Sequence, residues 1–189
     1  MRSARRHHWF SVEEYLDFEL AHADRFEYAD GAIVAMAGGS LQHNILSANT
    51  LAALHRAFAG PCRVMGSDQR IVTGDGLRTY PDAVVVCGAL EVSLHKGTGT
   101  VHNPSILVEV LSPSTRDYDL GEKLERYQTV RSLQDVLLID SERIDVRHVR
   151  RTLEGWETRR FTDSADAFSM SGQAFSVESL YAGVAFAGS

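Results

Sequence analysis

The chain has 189 residues, 44% of them hydrophobic, and a formal net charge of −6. That length suits one core of ordinary size and is short for two independent domains. The acidic balance argues against a sequence-independent coat on nucleic acid, yet it leaves room for an enzyme that meets DNA through a local basic strip.

The start, Met1 to His8, is basic with no apolar signal core after it. Residues 1–10 therefore read as a frayed N-terminus ahead of a single domain over 11–189, and with no run near the roughly 20 apolar residues of a membrane span, the reading is cytoplasmic and without a membrane partner. Ser11-Val12-Glu13-Glu14 is a capping box that opens a helix to about Leu20. Arg25 to Tyr28 and Ala32 to Met36 form two strands across the tight turn Asp30-Gly31. Glu27 lies on the first and, taken alone, faces solvent. Gly38-Gly39 breaks the chain, Ser40 caps a helix through Phe58, and Gly60-Pro61 ends it. His43, one turn into that helix, can share a side with Ser47 and reads as a surface or packing residue.

Cys62 to Met65 and Gln69 to Val72 are strand segments. Cys62 and Cys87 both sit in apolar, strand-like surroundings and read as buried free thiols of a reducing interior; no Cys/His spacing resembles a zinc site. Between Gly88 and Pro104 the chain has little periodicity, which predicts a loop of about 15 residues with Lys96 solvated on it. A helix begins at Asp117 or Asp119 and runs to about Val130, with Leu120, Leu124 and Tyr127 on one face. Asp135 to Asp140 is a buried strand. Arg143 to Val149 and Trp156 to Phe161 continue it antiparallel around Glu154-Gly155, and Phe175, Val177, Leu180 and Tyr181 dock the C-terminal segment.

Two runs stand apart. Tyr80-Pro81-Asp82-Ala83-Val84-Val85-Val86-Cys87 and Ser105-Ile106-Leu107-Val108-Glu109-Val110-Leu111-Ser112 have the apolar, β-branched signature of buried strands, and each carries one carboxylate. An ionised carboxylate in such a place costs several kcal/mol unless it is paired, protonated or bound to a cation. On neighbouring strands the two acids would raise one another's pKa and together seat a hard divalent metal. The alternative places Asp82 in a turn at the strand entrance and has a buried arginine neutralise Glu109. All basic side chains except Lys96 and Lys123 are arginine. Lys123 lies one position off the apolar seam of its helix, where it either snorkels at the surface or reaches a strand end; a lysine there could serve as a base if its pKa were depressed.

Pro81-Asp82, then Glu109, then a lysine resembles the PD-(D/E)xK nuclease superfamily. The wider text, Arg25 to Gly31, Gly38-Gly39-Ser40 with His43, Tyr80 to Val86, Val108 to Thr115 and Tyr118 to Lys123, resembles the Uma2 family over nearly the whole chain to about Trp156. This resemblance implies an α/β (α+β), restriction-endonuclease-like fold with a central mixed β-sheet flanked by helices. It implies a Mg²⁺- or Mn²⁺-dependent endonuclease acting on DNA, metal at Asp82 and Glu109, Glu27 as an additional acid, and a homodimer by analogy with the fold. Where the superfamily pattern has lysine two residues after the acid, this chain has Leu111; in Uma2-like sequences the lysine moves to the following helix, here Lys123. The other readings are a catalytically silent nuclease-fold module that binds nucleic acid or protein, and a metal-dependent hydrolase of small phosphoesters.

Overall fold

The structure is a computed structural model that describes residues 9–36, 38–60 and 62–186. Strands β9 (Ile106–Leu111) and β10 (Asp135–Asp140) are buried at every residue. Runs of that kind need cover on both faces. They lie as parallel neighbours in the middle of a six-stranded mixed sheet ordered β12-β11-β10-β9-β6-β3, with β3 at Cys62–Gly66, β6 at Ala83–Cys87, β11 at Val146–Thr152 and β12 at Gly155–Phe161. Alternation along β9 sends Ile106, Val108 and Val110 into one core, with Leu46 and Leu54 of helix α2 (Leu41–Ala57). Leu107 and Leu111 enter a second core with Tyr127 of helix α4 (Glu122–Gln128). Glu109, between them, falls on that second face.

A further sheet, ordered β2-β1-β5-β4-β8-β7, with β5 at Arg78–Thr79 and β7 at Val92–His95, contributes Ile71 of β4 (Arg70–Val72) and Val101 of β8 (Thr98–Val101) to the second core. Its β1 (Phe26–Ala29) and β2 (Ala32–Ala35) form the expected hairpin, with Asp30 and Gly31 both at positive φ. The first helix, α1 (Val12–Leu20), has its reciprocal cap: Glu14 N–H donates to Ser11 Oγ at 3.2 Å and Ser11 N–H to Glu14 Oε2 at 2.7 Å. Of the predicted frayed start, residues 1–8 lie outside the described residues; Phe10 is tied down, its N–H donating to Gly31 O and its carbonyl accepting from Tyr28.

Three expectations change. The stretch after Gly88 is a hairpin, β7 (Val92–His95) with β8, turning at Lys96-Gly97, both at positive φ; Lys96 bonds to Asp17 at 2.6 Å. Val92, Leu94, Thr98 and Thr100 hold the alternation within strands too short to stand out against the surrounding polar residues. The helix after Thr115 is two pieces, α3 (Arg116–Leu120) and α4, broken at Gly121. The cysteines are not free thiols: Cys62 and Cys87 face each other in the β3–β6 register and form a disulfide. Cys87 is exposed at its strand end, so neither burial nor a reduced state follows from the apolar text around it. The bridge closes a loop of 25 residues. Loop-closure entropy then predicts that replacing both by alanine lowers stability by about 3 kcal/mol, read from denaturant unfolding, with no free thiol titrating in the unreduced protein.

Candidate active site

Antiparallel pairing of β6 with β9 sets Ala83 against Val108, so Asp82, one residue before the strand, comes opposite Glu109. Asp82 does sit in a bend at the strand entrance. The bend aims its carboxylate at the neighbouring strand: Val110 N–H donates to Asp82 Oδ2 at 2.7 Å. Its other oxygen faces α2, with Ser47 Oγ and His43 Nε2 each at 3.4 Å.

The amine of Lys123 joins the remaining acids. Its Nζ lies 2.9 Å from Glu109 Oε1, 3.0 Å from Glu27 Oε1 and 3.5 Å from Asp119 Oδ1. Lys123 is 4% exposed, Glu109 6% and Glu27 8%. Tyr127 donates to Glu109; Thr79 and Tyr118 donate to Glu27. Glu27 thus points inward from β1, not to solvent, and Lys123 is buried, not snorkelled. Among the described residues no arginine is paired with Glu109. The buried Arg70 serves Glu19 instead, with Tyr80 and Thr100 as further partners. Tyr118, Tyr127, Thr79 and Asp119 were not foreseen as members; only Asp119, four residues before Lys123 on a helical path, carried a local signal.

Three carboxylates, those of Glu27, Glu109 and Asp119, surround one ammonium. Burial, opposed by Lys123 and reinforced by Asp82 and Asp119, pushes the Glu109 carboxyl up to about 8. Burial also works against the charge of Lys123, but Glu109, Tyr127, Glu27 and Asp119 override it and raise its pKa well above the ordinary lysine value. In the metal-free protein the amine is therefore held as a cation. His43 is raised by its bond to Asp82, against its partial burial.

A stability consequence follows from Glu109. Its folded pKa lies above the unfolded value of 4.5, so folding favours the neutral carboxyl. The contribution is complete below 4.5 and is lost as pH rises toward about 8, at no more than ~1.4 kcal/mol per pH unit. Metal-free protein should show a melting temperature that falls across this window, and the fall should be shallower in Glu109→Gln.

Among the described residues, no three His, Cys, Asp or Glu side chains are grouped so as to hold a metal by themselves. Magnesium needs less: one or two carboxylates, with waters and phosphate filling the other positions. Asp82 and Glu109, hard oxygen donors beside each other in a site with surplus negative charge, fit that requirement. Beside Asp82 opens a cleft of about 550 Å³ lined by Ser47, Leu51, Met65, Gly66 and Gln69 among others.

A family model described as "Putative restriction endonuclease", Uma2, matches residues 12–178. The chain belongs to the Uma2 family. Two Synechocystis proteins resemble this Uma2 chain: the uncharacterized protein slr1290, 35% identical with 93% of each chain covered, and the uncharacterized protein sll1609, 31% identical over 75% of this chain and 80% of the other. The crystal structure of a putative nuclease belonging to DUF820 from Anabaena variabilis superposes with a TM-score of 0.70 at 19% identity, covering 88% of this chain and 97% of that one. At that identity the likeness speaks to the fold, and it agrees with the mixed sheet flanked by helices described above.

Proposed function

We propose that this Uma2 protein is a divalent-metal-dependent endonuclease that hydrolyses DNA phosphodiester bonds at the Asp82, Glu109 and Lys123 cluster. The observation that carries the reading is the meeting of Lys123 with Glu109 and Glu27 in one buried cluster beside Asp82, from residues widely separated along the chain. Asp82 and Glu109 would hold Mg²⁺ or Mn²⁺; bound there, the ion supplies an acidified water and a counter-charge for the phosphate oxygens. Lys123 fixes the Glu109 and Glu27 carboxylates and adds positive charge next to the reacting phosphate. Glu27, gripped by Thr79 and Tyr118, keeps the amine from turning away. His43, in contact with Asp82, can give a proton to the departing oxygen. Supercoiled plasmid with Mg²⁺ or Mn²⁺ should be converted to nicked and linear forms, and chelator should stop the conversion. No cut on supercoiled, linear or single-stranded DNA would contradict the proposal.

One observation favours a silent nucleic-acid-binding module: Lys123 already has three carboxylate partners and is almost fully buried. That reading requires DNA binding that is indifferent to Mn²⁺.

A further inference from the structure

Residues 143–161 carry six arginines against three acids, a surplus of three positive charges in a chain whose net charge is −6. Most of this segment is the β11–β12 ribbon, with β12 at the open edge of the central sheet. Its strand pairing is in line with the acid site. Glu109 pairs with Leu138, Leu138 with Arg147, and Arg147 with Arg160, so one row across the sheet begins at the carboxylates and ends in two arginines on the same face. At the usual strand spacing, Arg147 and Arg160 stand about 10 and 15 Å from Glu109 along that row. Helix α3 lies toward the same end, and its Arg116 reaches Asp140 at 2.6 Å.

Asp145, 3% exposed, gathers this group. Arg160 grips it through Nε and Nη2, both at 2.8 Å, while Arg143 and Arg147 approach at 3.7 and 3.8 Å. A guanidinium has five N–H donors, and Asp145 takes only part of this capacity. Arg143 and Arg160 remain 56% and 54% exposed in their side chains. A buried acid that orients several exposed guanidinium groups prepares them for a second set of anionic oxygens. Asp140 and Glu142 are the other acids within reach of Arg116 and Arg143. The opposite face of the ribbon is a different surface. There Arg150 and Arg159 border a cavity of about 240 Å³ with His148, Glu157 and Phe168, and Arg159 is bound to Glu157 at 3.0 Å.

We infer that Arg143, Arg147 and Arg160, gathered on Asp145, hold backbone phosphates of duplex DNA that flank the phosphate presented to the Asp82 and Lys123 cluster. This inference rests on the reading of the protein as acting on DNA, and the following experiment separates the two failures. Anisotropy of a labelled duplex is followed in EDTA against salt concentration, for wild type, Arg147→Gln/Arg160→Gln, and the opposite-face pair Arg150→Gln/Arg159→Gln. The first pair should weaken binding about tenfold and lower the salt slope by about 2, the second should leave both near wild type, and Arg147→Lys/Arg160→Lys should restore the slope. Arg143→Gln, which changes a peripheral, exposed side chain, should lower the slope by about 1 and serves if the double variant fails to fold. Equal losses from both faces, or no loss from either, overturn the inference while leaving DNA as ligand. Wild type that binds no duplex overturns both, and tighter binding to an acidic polypeptide than to duplex assigns the face to a protein partner instead.

Discussion

Lys123→Met is expected to destabilise the protein by about 3–5 kcal/mol, the usual result of removing one partner from a buried ionic group. Methionine keeps the length of the side chain and removes the charge that holds Glu27, Glu109 and Asp119 together. With the ammonium gone, desolvation and mutual repulsion act on three acids that are each less than a tenth exposed. Glu109, pushed up to about 8 by burial, already favours its neutral form at neutral pH, so the exposed charge is chiefly that of Glu27 and Asp119. The loss should therefore shrink toward acid pH as those two acids take protons. Denaturant unfolding at neutral pH checks this, and a loss under about 1 kcal/mol would mean that the cluster is not held by its amine.

Asp82→Asn should behave in the opposite manner, with little effect on folding and a large effect on chemistry. An asparagine oxygen can still accept from Val110 N–H, so the strand contact survives. What disappears is the negative charge facing Glu109 and His43. Losing one of two carboxylates at a cation site removes several kcal/mol of transition-state stabilisation, and plasmid cleavage should fall by about 10³-fold. His43 would lose the hydrogen bond that raises its pKa, so its titration, followed by NMR, should move toward the ordinary histidine value. Cleavage within a factor of about three of wild type would remove Asp82 from the mechanism.

The residues that named this site in the sequence were those whose chemistry conflicted with their surroundings. Glu109 in an apolar strand and a lysine in an arginine-rich chain were such conflicts, and the structure brings them within hydrogen-bonding distance. Asp82 combined both readings offered for it, a bend at the strand entrance and a carboxylate beside Glu109. Glu27 gave no local signal, because a strand residue in a polar hairpin looks the same whether its side chain meets water or Lys123. Tyr118, Tyr127 and Thr79 were invisible for a related reason: aromatic and hydroxyl side chains are ordinary in helices and strands, and only the tertiary arrangement turns their O–H groups toward acids. The Cys62–Cys87 bridge depended on register. A cross-strand pair is decided by which residues end up opposite each other, and the 25-residue separation does not disclose that.

The most direct test of the cation seat is isothermal calorimetry with Mn²⁺ on metal-free protein. Wild type should show one site per chain, with binding lost in Asp82→Asn and Glu109→Gln while both variants keep a cooperative melt. Equal Mn²⁺ binding by wild type and both variants, or none by any of them, would contradict that seat.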